Sequence, residues 1–121
     1  MSQQDSITAR VVLITVLETE AKELSKKILE KKYATAINII PGITTFYWWK
    51  NEIVEYLEQM LVIKTEDYRV KELVEYVKKN QTYQVPGIIS IKIDEGNPAY
   101  LTWIERAVLE PHELFGTFIE L

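Results

Sequence analysis

The sequence of 121 residues contains no cysteine and a single histidine, His112. Without cysteine the chain can form no disulfide, zinc–thiolate site, iron–sulfur cluster or thiol nucleophile. One histidine cannot build a multi-histidine metal site, and a Ser/His/Asp triad would depend on that single late residue. Any bound metal ion would therefore be held mostly by oxygen ligands.

Basic residues and long apolar runs are also scarce. Lys and Arg number 14 against 18 Asp and Glu, which gives a formal net charge of −4. This balance disfavours a broad phosphate-binding surface, so we expect no nucleic-acid partner. No stretch approaches the roughly 20 apolar residues of a membrane span, and the polar residues 2–6 do not resemble a signal peptide. We therefore expect no membrane association and a cytoplasmic location.

Apolar residues make up 47% of the sequence and charged residues 26%, as in typical globular proteins. The length fits one domain, which we assign to residues 1–121 with a flexible N-terminus at residues 1–6. Strand composition and helical periodicity alternate along the chain. The predicted strands are 11–16, 35–40, 43–49, the second half of 52–65, 88–93 and a short one within 114–121, and the predicted helices are 21–33, 66–80 and 98–109. This order predicts an α+β, ferredoxin-like β-α-β-β-α-β sandwich with an additional C-terminal helix and short strand.

Local signals predict where several elements begin and end. Thr19, Thr65 and Asn97 are candidate N-caps of the three helices, and Pro98 suits the first helical position after Asn97. Pro41-Gly42 predicts a turn or bulge between two β-rich segments. Residues 11–16, which show little alternation, are typical of a central strand covered on both faces. Periodicity leaves residues 52–65 open between a helix and a strand.

Four aromatic side chains follow one another at positions 46–49. Alternate residues of a strand point to opposite faces, so bulky rings would lie on both faces of the sheet. Aromatic residues are enriched in interface cores, which favours an interface role for Phe46, Tyr47, Trp48 and Trp49. The alternative is that both sets of rings belong to an ordinary core.

A longer pattern includes these aromatic residues. Residues 38–49, NIIPGITTFYWW, followed by Glu58 and by residues 61–65, LVIKT, closely resemble the signature of the CutA divalent-cation tolerance family. Tyr83-x-x-Pro86 and residues 100–104, YLTWI, fall where that family has its later motifs. The resemblance extends from residue 9 to about residue 108, which is nearly the whole chain.

The resemblance implies a ferredoxin-like fold assembled as a tight homotrimer, broadly similar to the trimeric PII signalling proteins. It implies that residues 52–65 form one long strand. It also implies a ligand-binding set near the cleft between subunits, which comprises Glu58, Lys64, Gln81 and Tyr83. We interpret Asn38, by contrast, as a structural residue that satisfies backbone groups at the bulge.

The sequence departs from the family pattern at three positions. Ala36, Gln81 and Gly87 stand where many members carry Cys, His and Glu. Cysteine and histidine are the usual copper ligands, so at most a weakly bound divalent cation such as copper is expected. The metal ligands, if any, are not identified by the sequence.

The functional expectation is a non-enzymatic trimeric protein of divalent cation (copper) tolerance or small-ligand signalling, which binds a ligand or cation at clefts between subunits. One alternative is an acylphosphatase-like hydrolase or another ferredoxin-fold enzyme. Such a hydrolase needs an arginine in an anion cradle, and Arg10, Arg69 and Arg106 all lie outside any Gly-rich loop. An RNA-recognition module is the other alternative, but its basic-Gly-aromatic signature is missing.

Overall fold

A computed structural model describes residues 7–109 of the chain. Four strands and three helices follow in the order β1 (Ala9–Leu17), α1 (Ala21–Glu30), β2 (Ala36–Trp49), β3 (Glu52–Glu66), α2 (Asp67–Lys79), β4 (Ile88–Lys92) and α3 (Pro98–Ala107). The strands form one antiparallel sheet in the order β2-β3-β1-β4. The predicted α+β element order is confirmed over these residues. The predicted N-terminal segment, the tail strand and His112 lie outside the described residues.

The main core lies between α1, α2 and one face of the sheet. Val12, Ile14 and Val16 of β1 are fully buried there together with Leu61 and Ile63 of β3. β1 lies between β3 and β4, as its apolar run predicts. Its second face is only half-buried within this chain, so the expected cover on both faces is not supplied by the described residues. We call this second side, opposite α1 and α2, the outer face.

β2 and β3 form a long hairpin that runs beyond the rest of the sheet. Lys50 and Asn51 at its turn both have positive φ, which suits the tight turn of an antiparallel pair. The register shifts between Ile40 and Ile43, and Gly42 has a φ of 70°, so the predicted bulge at Pro41-Gly42 is confirmed. β3 is one continuous strand, which resolves the ambiguity of residues 52–65 as the resemblance implied.

The first helix differs from its prediction at both ends. Glu20, not Thr19, holds the N-cap position, and no side chain caps it. The helix ends at Glu30 rather than near Tyr33, because Lys32 adopts a positive φ and Tyr33 N–H then bonds back to the carbonyl of Ile28. This reversal satisfies late helical carbonyls and stops further winding.

The second cap prediction is wrong, and the third is confirmed. Thr65 belongs to β3 and donates its hydroxyl to the carbonyl of Tyr33 at 2.7 Å, so it is not available to cap α2. Asn97 accepts a hydrogen bond from the backbone N–H of Ala99 at 3.1 Å, and Pro98 occupies the first helical position. α3 packs through Leu101 and Ile104 in a second, smaller core.

Buried Arg69 of α2 fastens the end of α3. Its guanidinium donates to the carbonyl of Val108 at 2.7 and 3.2 Å and pairs with Glu72 at 3.1 Å. Burial lowers the pKa of Arg69, but the interactions with Glu72 and Tyr68 together outweigh it and raise this pKa. Within residues 7–109, none of the helices has the length and apolar character that crossing a bilayer requires.

Candidate functional site

A cleft of about 490 Å³ opens on the outer face where the hairpin leaves the sheet. β1 pairs with β3 only as far as Leu17 and Glu58, so the hairpin continues alone beyond this point. The segment between α2 and β4 crosses over the gap that results. The cleft is lined by Thr15, Leu17, Thr45, Tyr47, Trp49, Tyr56, Glu58, Thr82, Tyr83, Gln84, Val85 and Gly87.

Glu58 and Tyr83 form the polar centre of the cleft. Glu58 is 3% exposed, and its Oε2 accepts a hydrogen bond of 2.6 Å from the Tyr83 hydroxyl. Its other oxygen, Oε1, is buried and has no hydrogen-bond partner among the residues that the structure describes. A buried carboxylate with one unsatisfied oxygen is costly and is therefore a natural place for a ligand to act.

Aromatic rings surround this carboxylate. Tyr47 and Tyr56 stack with ring centroids 5.8 Å apart, and Tyr56 meets Tyr83 edge to face at 6.0 Å. Trp49 continues the wall toward the hairpin turn. The two residues of the 46–49 run that point to the outer face thus line the cleft.

Burial and the charge of Glu58 both raise the pKa values of two neighbouring phenols, those of Tyr83 and Tyr47. Burial and then the hydrogen bond and charge of Glu58 raise the pKa of Tyr83. Burial, with smaller contributions from Tyr56 and Glu58, raises the pKa of Tyr47. Both phenols therefore stay protonated at neutral pH. No Lys, Arg or His lines the cleft, and Glu58 is its one charged lining residue among those described.

The four residues of the implied ligand set occupy three positions relative to the cleft. Glu58 and Tyr83 meet within it. Gln81 braces Tyr83, because its side chain donates to the Tyr83 carbonyl at 2.6 Å and accepts from the Tyr83 N–H at 2.7 Å. Lys64 lies further along β3, outside the cleft lining, and donates to the side chain of Asn38. Burial lowers the pKa of Lys64.

Asn38 therefore has a different partner from the one we expected. Its side-chain oxygen accepts from Lys64 on the neighbouring strand, and the structure gives it no bond to the backbone of the bulge. The pair ties β2 to β3 on the outer face. The bulge itself is supported by Gly42, whose positive φ suits a residue without a side chain.

The other two aromatic residues of the run lie on the opposite face of the hairpin. Phe46 is 65% exposed and Trp48 is 72% exposed. Ile53 and Leu57 of β3 share this face and are also largely exposed. We call these four residues the hairpin patch. They extend past α1 and α2, so these helices do not cover them.

Sequence reasoning missed several lining residues. Tyr56 could have been found, since it lies two positions before Glu58 and so shares its face of β3. Thr15 and Leu17 reach the cleft through the pairing of β1 with β3, which no local pattern specifies. Thr82 lines it from the crossing segment and donates its hydroxyl to Glu20.

The donor set limits what the site can do chemically. Residues 7–109 contain no group of three or more His, Cys, Asp or Glu side chains that could hold a metal ion. Arg10 donates a hydrogen bond to Ser90 at 3.3 Å, and Arg69 donates to the carbonyl of Val108 at the end of α3. Neither arginine lines the cleft. An anionic substrate would meet the buried carboxylate there and no cation from the part of the chain that the structure describes. The cleft is suited to a neutral or positively charged ligand.

Comparison with known proteins identifies relatives over most of the chain. The rice "Protein CutA 1, chloroplastic" is 37% identical over 110 residues, which cover 90% of this chain and 62% of the relative. The Thermus thermophilus "Divalent-cation tolerance protein CutA" is 42% identical over 97 residues, which cover 79% of this chain and 94% of the relative. The chain thus spans under two thirds of the rice relative's length but nearly all of the bacterial one's.

Solved structures agree with these relatives. The divalent cation tolerance protein (Cut A1) of Thermus thermophilus matches with a TM-score of 0.79 and 40% identity, over 82% of this chain and 97% of that one. The periplasmic divalent cation tolerance protein CutA of Archaeoglobus fulgidus matches with a TM-score of 0.80 and 33% identity, over 84% and 99%. The family model described as CutA1 divalent ion tolerance protein matches residues 10–107. The chain therefore belongs to the CutA1 divalent ion tolerance family.

Proposed function

We propose that three copies of this chain form a non-enzymatic homotrimer that functions in divalent cation tolerance. The trimer binds a small ligand or cation in clefts that are completed between subunits. The observation that carries the proposal is the buried carboxylate of Glu58 in an aromatic cleft that no basic side chain of the described residues lines. Such a cleft favours positive charge and disfavours the phosphate groups that an acylphosphatase-like hydrolase or an RNA-binding module would need to bind.

The exposed surface of the hairpin supports assembly. The end of the hairpin is a two-stranded ribbon, which is marginally stable in water by itself. It nevertheless carries the hairpin patch on one face and the cleft aromatics on the other. A second copy that covers the hairpin patch would remove this apolar surface from water.

The rest of the outer face supports the same proposal. Ile40, Ile89 and Ile91 are large apolar residues of the sheet and are all exposed in the single chain. β2 is an edge strand of 14 residues, which is a long row of unpaired backbone groups for a monomer to leave open. A closed ring of three copies would cover these edges without growing into a fibre.

Copper binding is proposed to be weak. Oxygen donors alone do not select copper, and Ala36 and Gln81 stand where many family members have softer ligands.

The cellular location is proposed from the sequence alone. The names of the relatives assign the rice protein to the chloroplast and the Archaeoglobus fulgidus protein to the periplasm. A cytoplasmic location for this chain stays a prediction.

Native mass spectrometry with and without copper(II) tests the proposal, because it reports subunit number and bound metal together. We expect a trimer whose copper occupancy appears only above micromolar metal and is lost in Glu58→Gln. Glu30→Gln, at an exposed position on α1 away from both the cleft lining and the hairpin patch, is the control and should leave both readings unchanged. A stable monomer would overturn the proposed assembly, and sub-micromolar copper binding would contradict the weak site.

A further inference from the structure

The charge of Glu58 is left without a counter-charge. Its side chain is almost fully buried, one oxygen is satisfied only by a neutral phenol, and the other has no partner among the described residues. A buried carboxylate in this state destabilises the protein unless a cation approaches it. Within residues 7–109, no lysine, arginine or histidine lines the cleft to provide that cation. The cation is therefore expected to come from outside residues 7–109, and a bound ligand can supply it.

The walls of the cleft indicate which kind of cation fits. Hard divalent ions take six or more oxygen ligands, and Glu58 is the one carboxylate that lines the cleft within residues 7–109. The remaining surface is largely aromatic and aliphatic, from Leu17, Tyr47, Tyr56 and Trp49. A bare metal ion gains little from such walls, whereas an organic cation can bury its carbon atoms against them.

Aromatic faces also attract ammonium groups directly. The faces of tyrosine and tryptophan rings are negative, and an ammonium within about 6 Å of a ring centroid is stabilised by that charge. Lys50 of the hairpin turn already shows this preference, because its Nζ lies 6.0 Å from the ring centroid of Trp49. The Tyr83 hydroxyl oxygen, which donates its proton to Glu58, can still accept a hydrogen bond from an N–H group.

We infer that the cleft binds an organic ammonium ion, a protonated alkylamine, with its charge attracted by Glu58 and its alkyl chain packed on the rings of Tyr47 and Tyr56. Oε1 of Glu58 is covered by its neighbours, so the attraction acts at short range through a water-poor surrounding, where it is stronger than in bulk solvent. The inference rests on the proposed function, in that the cleft is the ligand site, and it names the chemical class of the ligand.

The test is an NMR titration of the full-length protein at pH 7 with n-butylammonium, and with butan-1-ol as a neutral probe of the same chain length. We expect butylammonium to shift tyrosine ring signals of the cleft at saturable concentrations and to bind at least about tenfold more tightly than butan-1-ol. Equal binding of the two probes would overturn the inference, because it would mean that charge is not recognised.

Two variants connect the binding to the residues named. Glu58→Gln keeps the shape of the side chain and should weaken butylammonium binding at least about tenfold. Tyr56→Leu, at an exposed ring position, should weaken it about threefold to tenfold if cation–π attraction contributes. Glu30→Gln removes one charge from an exposed position on α1 and should bind like the parent. Circular dichroism and thermal melting verify that each variant is folded, and unchanged affinity in folded Glu58→Gln would refute the role of the carboxylate.

The two proposals fail in different ways. If the protein is trimeric with Glu58-dependent copper occupancy but butylammonium does not bind, the ligand class is wrong and the proposed function stands. A basic side chain from a neighbouring copy seated on Glu58 would produce this result. If the protein is monomeric and butylammonium binds the cleft, the assembly fails while the ligand class holds.

Discussion

At the scale of single residues, Glu58 sets the electrostatics of the cleft through Tyr83. We predict that Glu58→Gln lowers the pKa of Tyr83, because it removes both the charge and the charged hydrogen-bond acceptor that raise it. Burial of the phenol is unchanged, so its pKa should stay above the ordinary value. The measurement is an ultraviolet absorbance titration of phenol ionisation between pH 8 and pH 12.

Tyr83→Phe provides the reference for that titration. The chain has seven tyrosines, so the difference between each protein and its Tyr83→Phe counterpart isolates the one phenol. The pKa of Tyr47 should also fall in Glu58→Gln, but by less, because the charge of Glu58 is the smallest of the causes that raise it. An unaltered titration of Tyr83 in Glu58→Gln would mean that the hydrogen bond is absent in solution.

A second carboxylate, Glu66, lies far from the cleft and gives a prediction on stability. Burial raises the pKa of Glu66, Glu105 and Asp67 raise it further, and the hydrogen bond from Thr8 opposes the shift. Because the pKa of Glu66 is higher in the folded protein than in the unfolded chain, protonated Glu66 stabilises the folded state. This stability is fully present below the unfolded-state pKa and is lost as the pH rises through the folded-state pKa. Ionised Glu66 is therefore a cost at neutral pH.

We predict that Glu66→Gln increases the free energy of unfolding at pH 7.5 relative to the parent, and that the gain disappears near pH 4. Urea denaturation at both pH values measures it. Glu30→Gln, at an exposed position on α1, is the control and should change little at either pH. A loss of stability at pH 7.5 would mean that the charged form of Glu66 is well satisfied.

At the scale of elements, helix starts separate what local sequence determines from what it does not. We predict that Asn97→Ala destabilises the protein by about 1 kcal/mol, because the N–H of Ala99 loses its side-chain acceptor. Thr19→Ala is the matched comparison. Thr19 was predicted as a cap but does not cap α1, so its loss should cost less than about 0.5 kcal/mol. Thermal unfolding of both variants checks the pair, and similar losses would contradict the assigned caps.

The elements that the sequence predicted correctly are those fixed by neighbouring residues. Pro41-Gly42 produced the bulge, and Asn97-Pro98 produced the start of α3. Thr65 carries the same local signal as Asn97, but its hydroxyl donates to the distant carbonyl of Tyr33, and Thr65 lies within β3. Local chemistry offers a cap, and tertiary structure decides whether it is used.

The candidate site was predictable only in part for the same reason. Two of its central residues, Glu58 and Tyr83, were identified through the family resemblance. A resemblance gives positions in the sequence but not the arrangement of the side chains in space. The hydrogen bonds by which Gln81 holds Tyr83 belong to an irregular segment with no periodicity to read. Arg69 was considered only as a possible anion ligand, yet it is buried against the end of α3, 39 residues away in sequence.

At the scale of the whole molecule, the exposed apolar surface of the hairpin is the feature that the described part of a single chain does not explain. Among residues 7–109 its far end pairs only with itself, and the hairpin patch lies on a face that α1 and α2 do not cover. A large exposed apolar cluster on one face of a two-stranded ribbon is typical of an interface. In the proposed trimer the same ribbon would cover a neighbour and help to close the cleft, so assembly and ligand binding would be coupled.

We predict that Trp48→Glu dissociates the assembly while leaving the fold of the single chain intact. Trp48 is 72% exposed, so its replacement removes little packing within the chain. In a trimer, a buried tryptophan contact is worth about 2 kcal/mol or more, and a buried carboxylate adds its own desolvation cost. Sedimentation equilibrium at micromolar protein should report a trimer for the parent and a monomer for the variant, with unchanged helical circular dichroism.

The control for this prediction is Thr19→Glu, which adds the same single negative charge at an exposed position in the turn between β1 and α1, outside the hairpin patch. It should remain trimeric, since added charge alone does not separate subunits at moderate salt. A trimeric Trp48→Glu would mean that the hairpin patch lies outside the interface. A monomeric Trp48→Glu that also loses butylammonium binding would indicate that the cleft depends on the neighbouring copy, whereas retained binding would place the ligand site within one chain.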